Sequence, residues 1–226
     1  GSDRAPSDLT RMLEERGVKV FYGQREENLT GDIDLVVYTA AIKSDNPELV
    51  AAKKRNIPTL TRAELLGQMM KNYKTPIAVS GTHGKTTTTS MISQILLNAD
   101  ADPTLSIGGI YRPIGGNIRV GASELFVTEA CEYTNSFLSF FPKIGIILNI
   151  EEDHLDFFKD LSDIRNSFRR FAGLLPEDGA LIINGGIDRC EELTDGLPCR
   201  VITYGLAPGS DYTASRITYD ESGFPS

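Results

Sequence analysis

VSGTHGKTTTTS, Val79 to Ser90, follows the apolar run IAVS (Ile77 to Ser80) and leads into a segment, Lys85 to Leu97, that reads as a helix. A strand, a glycine turn and a helix start together make an anion site, because the first helical N–H groups have no backbone partners and point at a ligand. Gly81 and Gly84 let the main chain approach phosphate oxygens; Lys85 supplies positive charge for β and γ phosphates, and the Thr86 hydroxyl is placed to ligate Mg²⁺. The spacing departs from G-x-x-x-x-G-K-[ST], which requires glycine at the position of Val79. The competing reading is a plain glycine turn before a threonine-rich helix. Four consecutive threonines are poor helix formers, so that helix has weak local reasons to begin there. The loop alone does not separate a GTPase, a kinase and a ligase.

Outward from the loop, LFVTEA (125–130), IGIILNI (144–150), ALIING (180–185) and RVITYG (200–205) read as strands, with a helix near 160–174. They are apolar almost throughout, as burial on both faces of a parallel sheet requires. Towards the N-terminus, DLTRMLEERG is a helix with Leu9, Met12 and Leu13 at helical spacing and Gly17 to end it. VKVFYG and the buried run LVVYTA (35–40) are strands. Asn46-Pro47 starts a helix as N-cap and first residue, and Thr61-Arg-Ala-Glu64 is a capping box for another, running to about Tyr73. This alternation predicts an α/β fold in two domains, residues 1–72 and 73–226, with KNYKTP between them and a parallel sheet in each.

Of 226 residues, 40% are apolar and 24% charged, ordinary for a globular chain. The net charge of −8 and the scattering of 23 Lys and Arg argue against a nucleic-acid surface. Cys131, Cys190 and Cys199 suggest neither a disulfide framework nor a structural zinc site, which fits a cytoplasmic protein; Cys131 reads as a buried, inert thiol. There is no apolar run long enough to span a bilayer and no signal-peptide pattern.

Two further motifs place chemistry at strand ends, the edge where open α/β sheets bind ligands. TEACEYTNSFLSF (128–140) offers Glu129 and Glu132, and NIEEDHLDFF (149–158) offers Asp153 and His154. Charges there are often merely solvated and a lone histidine is often a hydrogen-bonded loop residue. The chain's two histidines, His83 and His154, nonetheless both fall in motifs that follow apolar strands. Converging on a phosphate loop, such groups would hold Mg²⁺ between ATP and a substrate.

GTHGKTTT (81–88), EACEYTNSFL (129–138) and NIEEDHLDFF (149–158), in this order, resemble the ATP-binding central domain of the Mur ligases, whose own glycine spacing is G-T-x-G-K-[ST]. TAAIKSDNPELVAAKKRNIPTLTRAELL (39–66) resembles the family's Rossmann-like uridine-nucleotide domain, and GGIYRPIGGNIRVG (108–121) its muramyl-binding loop. The similarity covers nearly the whole chain and is strongest to the branch that adds L-alanine to UDP-N-acetylmuramate. It implies a P-loop ATPase-type parallel-sheet domain and ATP-dependent amide formation through an acyl phosphate, in the bacterial cytoplasm, with no nucleic-acid or membrane partner.

The resemblance also implies roles. Gly81, Thr82, His83, Gly84, Lys85, Thr86 and Thr87 would hold ATP; Lys85, Glu129 and His154 would act in catalysis; and Thr86, Glu129 and His154 would ligate magnesium. Glu132 is a lesser candidate, outside the metal's own ligands. Thr39, Ala40 and Ala41 would meet uridine diphosphate, and Asn117 the muramyl group. The family's first glycine-rich strand, a later asparagine motif and a third, amine-selecting domain have no counterpart, so both ends read as cut and the piece alone is expected to have little ligase activity. Where other members carry a carbamylated lysine this chain has Arg169, as the alanine-adding branch also lacks that lysine. The rival readings are the tripeptide-recycling ligase, a folate polyglutamate ligase, a non-catalytic nucleotide-binding module and a simple kinase.

Overall fold

A computed structural model describes residues 1–206 and 209–222, and the chain forms two compact units, Gly1–Leu65 and Leu66–Ser226. In the first, β1 (Ser2–Asp3) pairs in parallel with β2 (Phe21–Tyr22), and β3 (Val36–Tyr38) with β4 (Thr59–Thr61). The expected parallel pairing is present, but as two separate two-stranded sheets among the described residues. α1 (Asp8–Glu15) is capped by Ser7 and closed by Gly17 at φ +84°, a left-handed turn that glycine adopts without strain. Leu9 stays 58% exposed, so helical spacing here does not make a core face. LVVYTA, expected to be buried, is half-buried: Leu35, just before the strand, is exposed, as is Val37 within it, while the strand's alternate residues face the other way.

The caps form as the sequence dictates. Asn46 Oδ1 accepts from the N–H groups of Glu48 and Leu49 at the start of α2 (Pro47–Lys54). Thr61 Oγ1 accepts from Glu64 N at 3.2 Å while Glu64 Oε2 accepts from Thr61 N at 2.7 Å, opening α3 (Arg62–Met70). α3 ends three residues before the expected Tyr73.

In the second unit an eight-stranded sheet runs β12 (Tyr212–Thr213), β11 (Arg200–Gly205), β10 (Ala180–Asn184), β9 (Ile144–Ile147), β5 (Thr75–Ser80), β8 (Leu125–Glu129), β6 (Thr104–Tyr111), β7 (Gly116–Arg119). All neighbours are parallel except the antiparallel β6–β7 hairpin, in a segment whose sequence resembles a loop. β5 lies between β9 and β8, so both acidic motifs emerge beside the glycine loop at the strands' C-terminal ends. Val79, Leu105 and Val127 have no exposed surface and pack with α4 (Lys85–Asn98) through Ile92, Leu96 and Leu97. Each such side chain contributes about 1.5–3 kcal/mol relative to exposure. α5 (Leu161–Ala172), capped by Asp160, buries Ile164, Phe168 and Phe171 at helical spacing, and Phe137 stacks on Phe171 at 4.8 Å. A short α6 (Glu191–Thr194) follows β10.

Candidate active site

The loop between β5 and α4 is shaped by its glycines. Gly81 has φ +144° and a Cβ there would lie 2.9 Å from Leu148 Cβ; Gly84, the N-cap of α4, has φ +83° and leaves the helix start without a side-chain cap. The first N–H groups of α4 therefore stay available to an anion. The loop is pinned from β9: Thr82 N donates to Asn149 O at 3.1 Å, His83 N to Asn149 Oδ1 at 2.7 Å, and Glu151 N to Thr82 Oγ1 at 2.9 Å. The sequence motif contains Asn149 without pointing to this role. The residue's signal is its place directly after an apolar strand.

Thr86 Oγ1 donates to Glu129 Oε2 at 2.9 Å, and Gly108 N donates to Glu129 Oε1 at 2.5 Å. This hydroxyl–carboxylate pair at the helix start is an oxygen donor set suited to a hard cation. Lys85 Nζ donates to Gly81 O (2.6 Å), Thr82 O (3.0 Å) and Glu132 Oε2 (2.9 Å). Glu132 is only 2% exposed, and its Oε1 lies 3.9 Å from His154 Nε2. The sequence ranked Glu132 below Glu129; the fold makes it the group that joins Lys85 to His154. His154 has φ +52°, accepts Phe157 N and Phe158 N on its carbonyl, and packs its ring 4.5 Å from that of Tyr133. Tyr133 in turn donates to Asp156 at 2.8 Å.

Thr86 and Glu129 thus come together, as do Lys85, Glu132 and His154. Among the described residues no group of three or more His, Cys, Asp or Glu side chains is placed to hold a metal ion by itself. His83 is exposed on the loop, its Nε2 3.7 Å from Glu151, and Thr87 is exposed in the first turn of α4. Asp153 turns back on its own chain, accepting from His154 N. Asn117 is exposed on β7. In the first unit, Thr39, Ala40 and Ala41 are exposed in the turn after β3; Thr39 lines a cavity of about 380 Å³ with Ser2, Gln24 and Asn46. Arg169 spends its guanidinium on the carbonyls of Leu193 and Asp195 at the end of α6.

Cys131, expected to be buried, is exposed. Partial desolvation, with the charges of Glu132 and Glu129 nearby, still pushes its thiol up. Among the described residues no helix is long and apolar enough to cross a membrane.

A small parallel α/β unit followed by a mostly parallel sheet with a glycine loop at its central strand defines a Rossmann-like unit joined to a P-loop-type domain. The chain belongs to the Mur ligase family: the Mur ligase middle domain matches residues 79–226, and the family's catalytic domain matches residues 1–74. It is 62% identical over 221 residues to UDP-N-acetylmuramate–L-alanine ligase of Agathobacter rectalis, across 98% of this chain and 48% of that one. The chain spans about half the length of the curated relatives it matches. Among solved structures, UDP-N-acetylmuramate–alanine ligase of Thermotoga maritima superposes with TM-score 0.79 at 29% identity, over 97% of this chain and 49% of that one. UDP-N-acetylmuramate:L-alanyl-gamma-D-glutamyl-meso-diaminopimelate ligase of Neisseria meningitides gives 0.82 at 26%, over 90% and 69%.

Proposed function

We propose that this chain is the nucleotide-sugar-binding and ATP-binding part of a bacterial cytoplasmic ligase that joins L-alanine to the lactyl carboxylate of UDP-N-acetylmuramate. The observation that carries the reading is the 62% identity to an L-alanine ligase along 98% of the chain, with Lys85, Thr86 and Glu129 gathered at the loop. In this reading residues of the first unit, Thr39, Ala40 and Ala41, meet the uridine diphosphate, and Asn117 meets the muramyl group. Gly81 to Thr87 hold the triphosphate of ATP.

The loop fits a phosphate chain, because the uncapped α4 start and the two positive-φ glycines leave N–H groups open to it. It also fits Mg²⁺: Thr86 and Glu129 supply oxygen ligands, and His154 would take part in holding a second ion. When bound, the metal neutralises charge on the phosphates. Lys85 stabilises the transferring phosphoryl group. The lactyl carboxylate attacks the γ-phosphorus, the bond to the bridging oxygen breaks and ADP leaves. The alanine nitrogen then attacks the acyl carbon, the bond to phosphate breaks and the amine proton passes to solvent. A carboxylate is a poor electrophile, and phosphorylation gives it a leaving group.

The tripeptide-adding ligase is the second reading, favoured by the higher TM-score of the Neisseria enzyme. Phosphate release by the complete gene product with Mg·ATP and UDP-N-acetylmuramate separates the two. Release that needs L-alanine is expected. Release that needs the tripeptide moves the protein to the second reading, and release with neither amine overturns both.

A further inference from the structure

Glu132 is buried, and its carboxylate is shared between two groups of the site. Both oxygens accept from Lys85 Nζ, at 3.2 and 2.9 Å, and Oε1 lies 3.9 Å from His154 Nε2. Lys85 also donates to two loop carbonyls, so an ammonium with three protons is fully engaged before any phosphate arrives. A phosphate that recruits Lys85 must break these contacts. A buried carboxylate stripped of its cation is costly unless another donor replaces it. The adjacent donor is His154, which needs to close by only about 1 Å to reach hydrogen-bond distance. Its ring is already steadied against Tyr133.

We propose that Glu132 is a positioning residue that changes partner: Lys85 in the nucleotide-free protein, His154 once phosphate has drawn Lys85 away. This rests on the reading of the loop as an ATP site. Two effects of opposite sign follow. While Glu132 holds Lys85, only molecules with Lys85 released accept phosphate fully; a competent fraction of about 0.1 weakens apparent affinity about tenfold. In the loaded state the same carboxylate orients the His154 imidazole and supports turnover.

Glu132→Gln in the complete gene product keeps the side chain's shape and removes its charge. ADP binding, titrated calorimetrically without substrate, is expected to tighten about three- to tenfold, while kcat for amide formation falls about tenfold or more. A residue that served only the fold would weaken both. Unchanged or weaker ADP binding by the folded variant overturns the proposal. If the glutamine variant does not fold, Glu132→Asp takes the same test: it draws the carboxylate back from Lys85 and must tighten ADP binding by a smaller factor, and no tightening overturns the proposal. If the unaltered protein binds no ADP, the ATP reading of the loop falls, and the proposal with it.

Discussion

Gly108 is a seat for Glu129. Its N–H holds one carboxylate oxygen, and a Cβ added there would come within 2.7 Å of the other. The obstruction is the far end of a flexible side chain, so Gly108→Ala is expected to leave the fold intact and turn Glu129 away from Thr86. The Mg²⁺ concentration for half-maximal turnover is then expected to rise about tenfold, with ADP binding in the absence of Mg²⁺ unchanged; an unaltered Mg²⁺ dependence would remove Glu129 from the proposed metal site. Gly81→Ala has no such escape, because φ +144° and the Leu148 backbone at 3.2 Å both oppose it. A loss of about 1–3 kcal/mol in unfolding stability is expected, read from denaturant titration. At this scale Lys85 and Glu129 were legible, since their chemistry stands out directly after apolar strands. Glu132 stands out only as a lesser candidate and Asn149 not at all, because their partners lie 47 and 66 residues away and meet them only through the placing of β8 and β9 on either side of β5.

Among the elements, the capped helices and the buried parallel strands were readable, because caps and apolar runs are local signals. The β6–β7 hairpin was not: its strand contains Gly108-Gly109 and its pairing shifts register between Ser106 and Tyr111, so no alternating pattern survives. What fixes it is Asp102, at φ +47°, whose carboxylate accepts from Ala122 N at 2.7 Å and from Arg119, while Arg119 Nη1 donates to Pro103 O. The Ala122 N–H first, and then Arg119, hold this carboxyl below its ordinary range. A carboxyl lowered on folding contributes stability above its unfolded value, and loses it as pH falls through the folded value. Asp102→Asn is therefore expected to lower Tm at neutral pH, and the gap to the unaltered protein should narrow as pH falls below about 4. A gap that stays constant down to acid pH would show that the ion pair does not clamp the hairpin.

For the molecule as a whole, the two units differ sharply in what they bury. The first has 65 residues and a core centred on Leu29, Ala51 and Ala52. The second buries Phe126, Phe137, Phe168, Phe171 and a row of aliphatic side chains from five adjacent parallel strands. The α/β class was legible in the alternation of strands and helices, because that alternation is a property of the whole chain. The thinness of the first core was not, since apolar residues such as Leu9, Leu35 and Val37 count as core candidates in sequence yet are exposed here. Small cores are marginal, because the fraction of surface buried on folding falls with chain size. Differential scanning calorimetry of this chain is expected to give two transitions, the lower one belonging to residues 1–65. Ligands assign them by mass action: at about one hundred times its Kd a ligand adds about 2.7 kcal/mol to the unit that binds it. Uridine diphosphate should then raise the lower transition alone and Mg·ADP the upper alone. A single transition that moves with both ligands would mean that the units unfold as one, and the independence of their cores would be refuted.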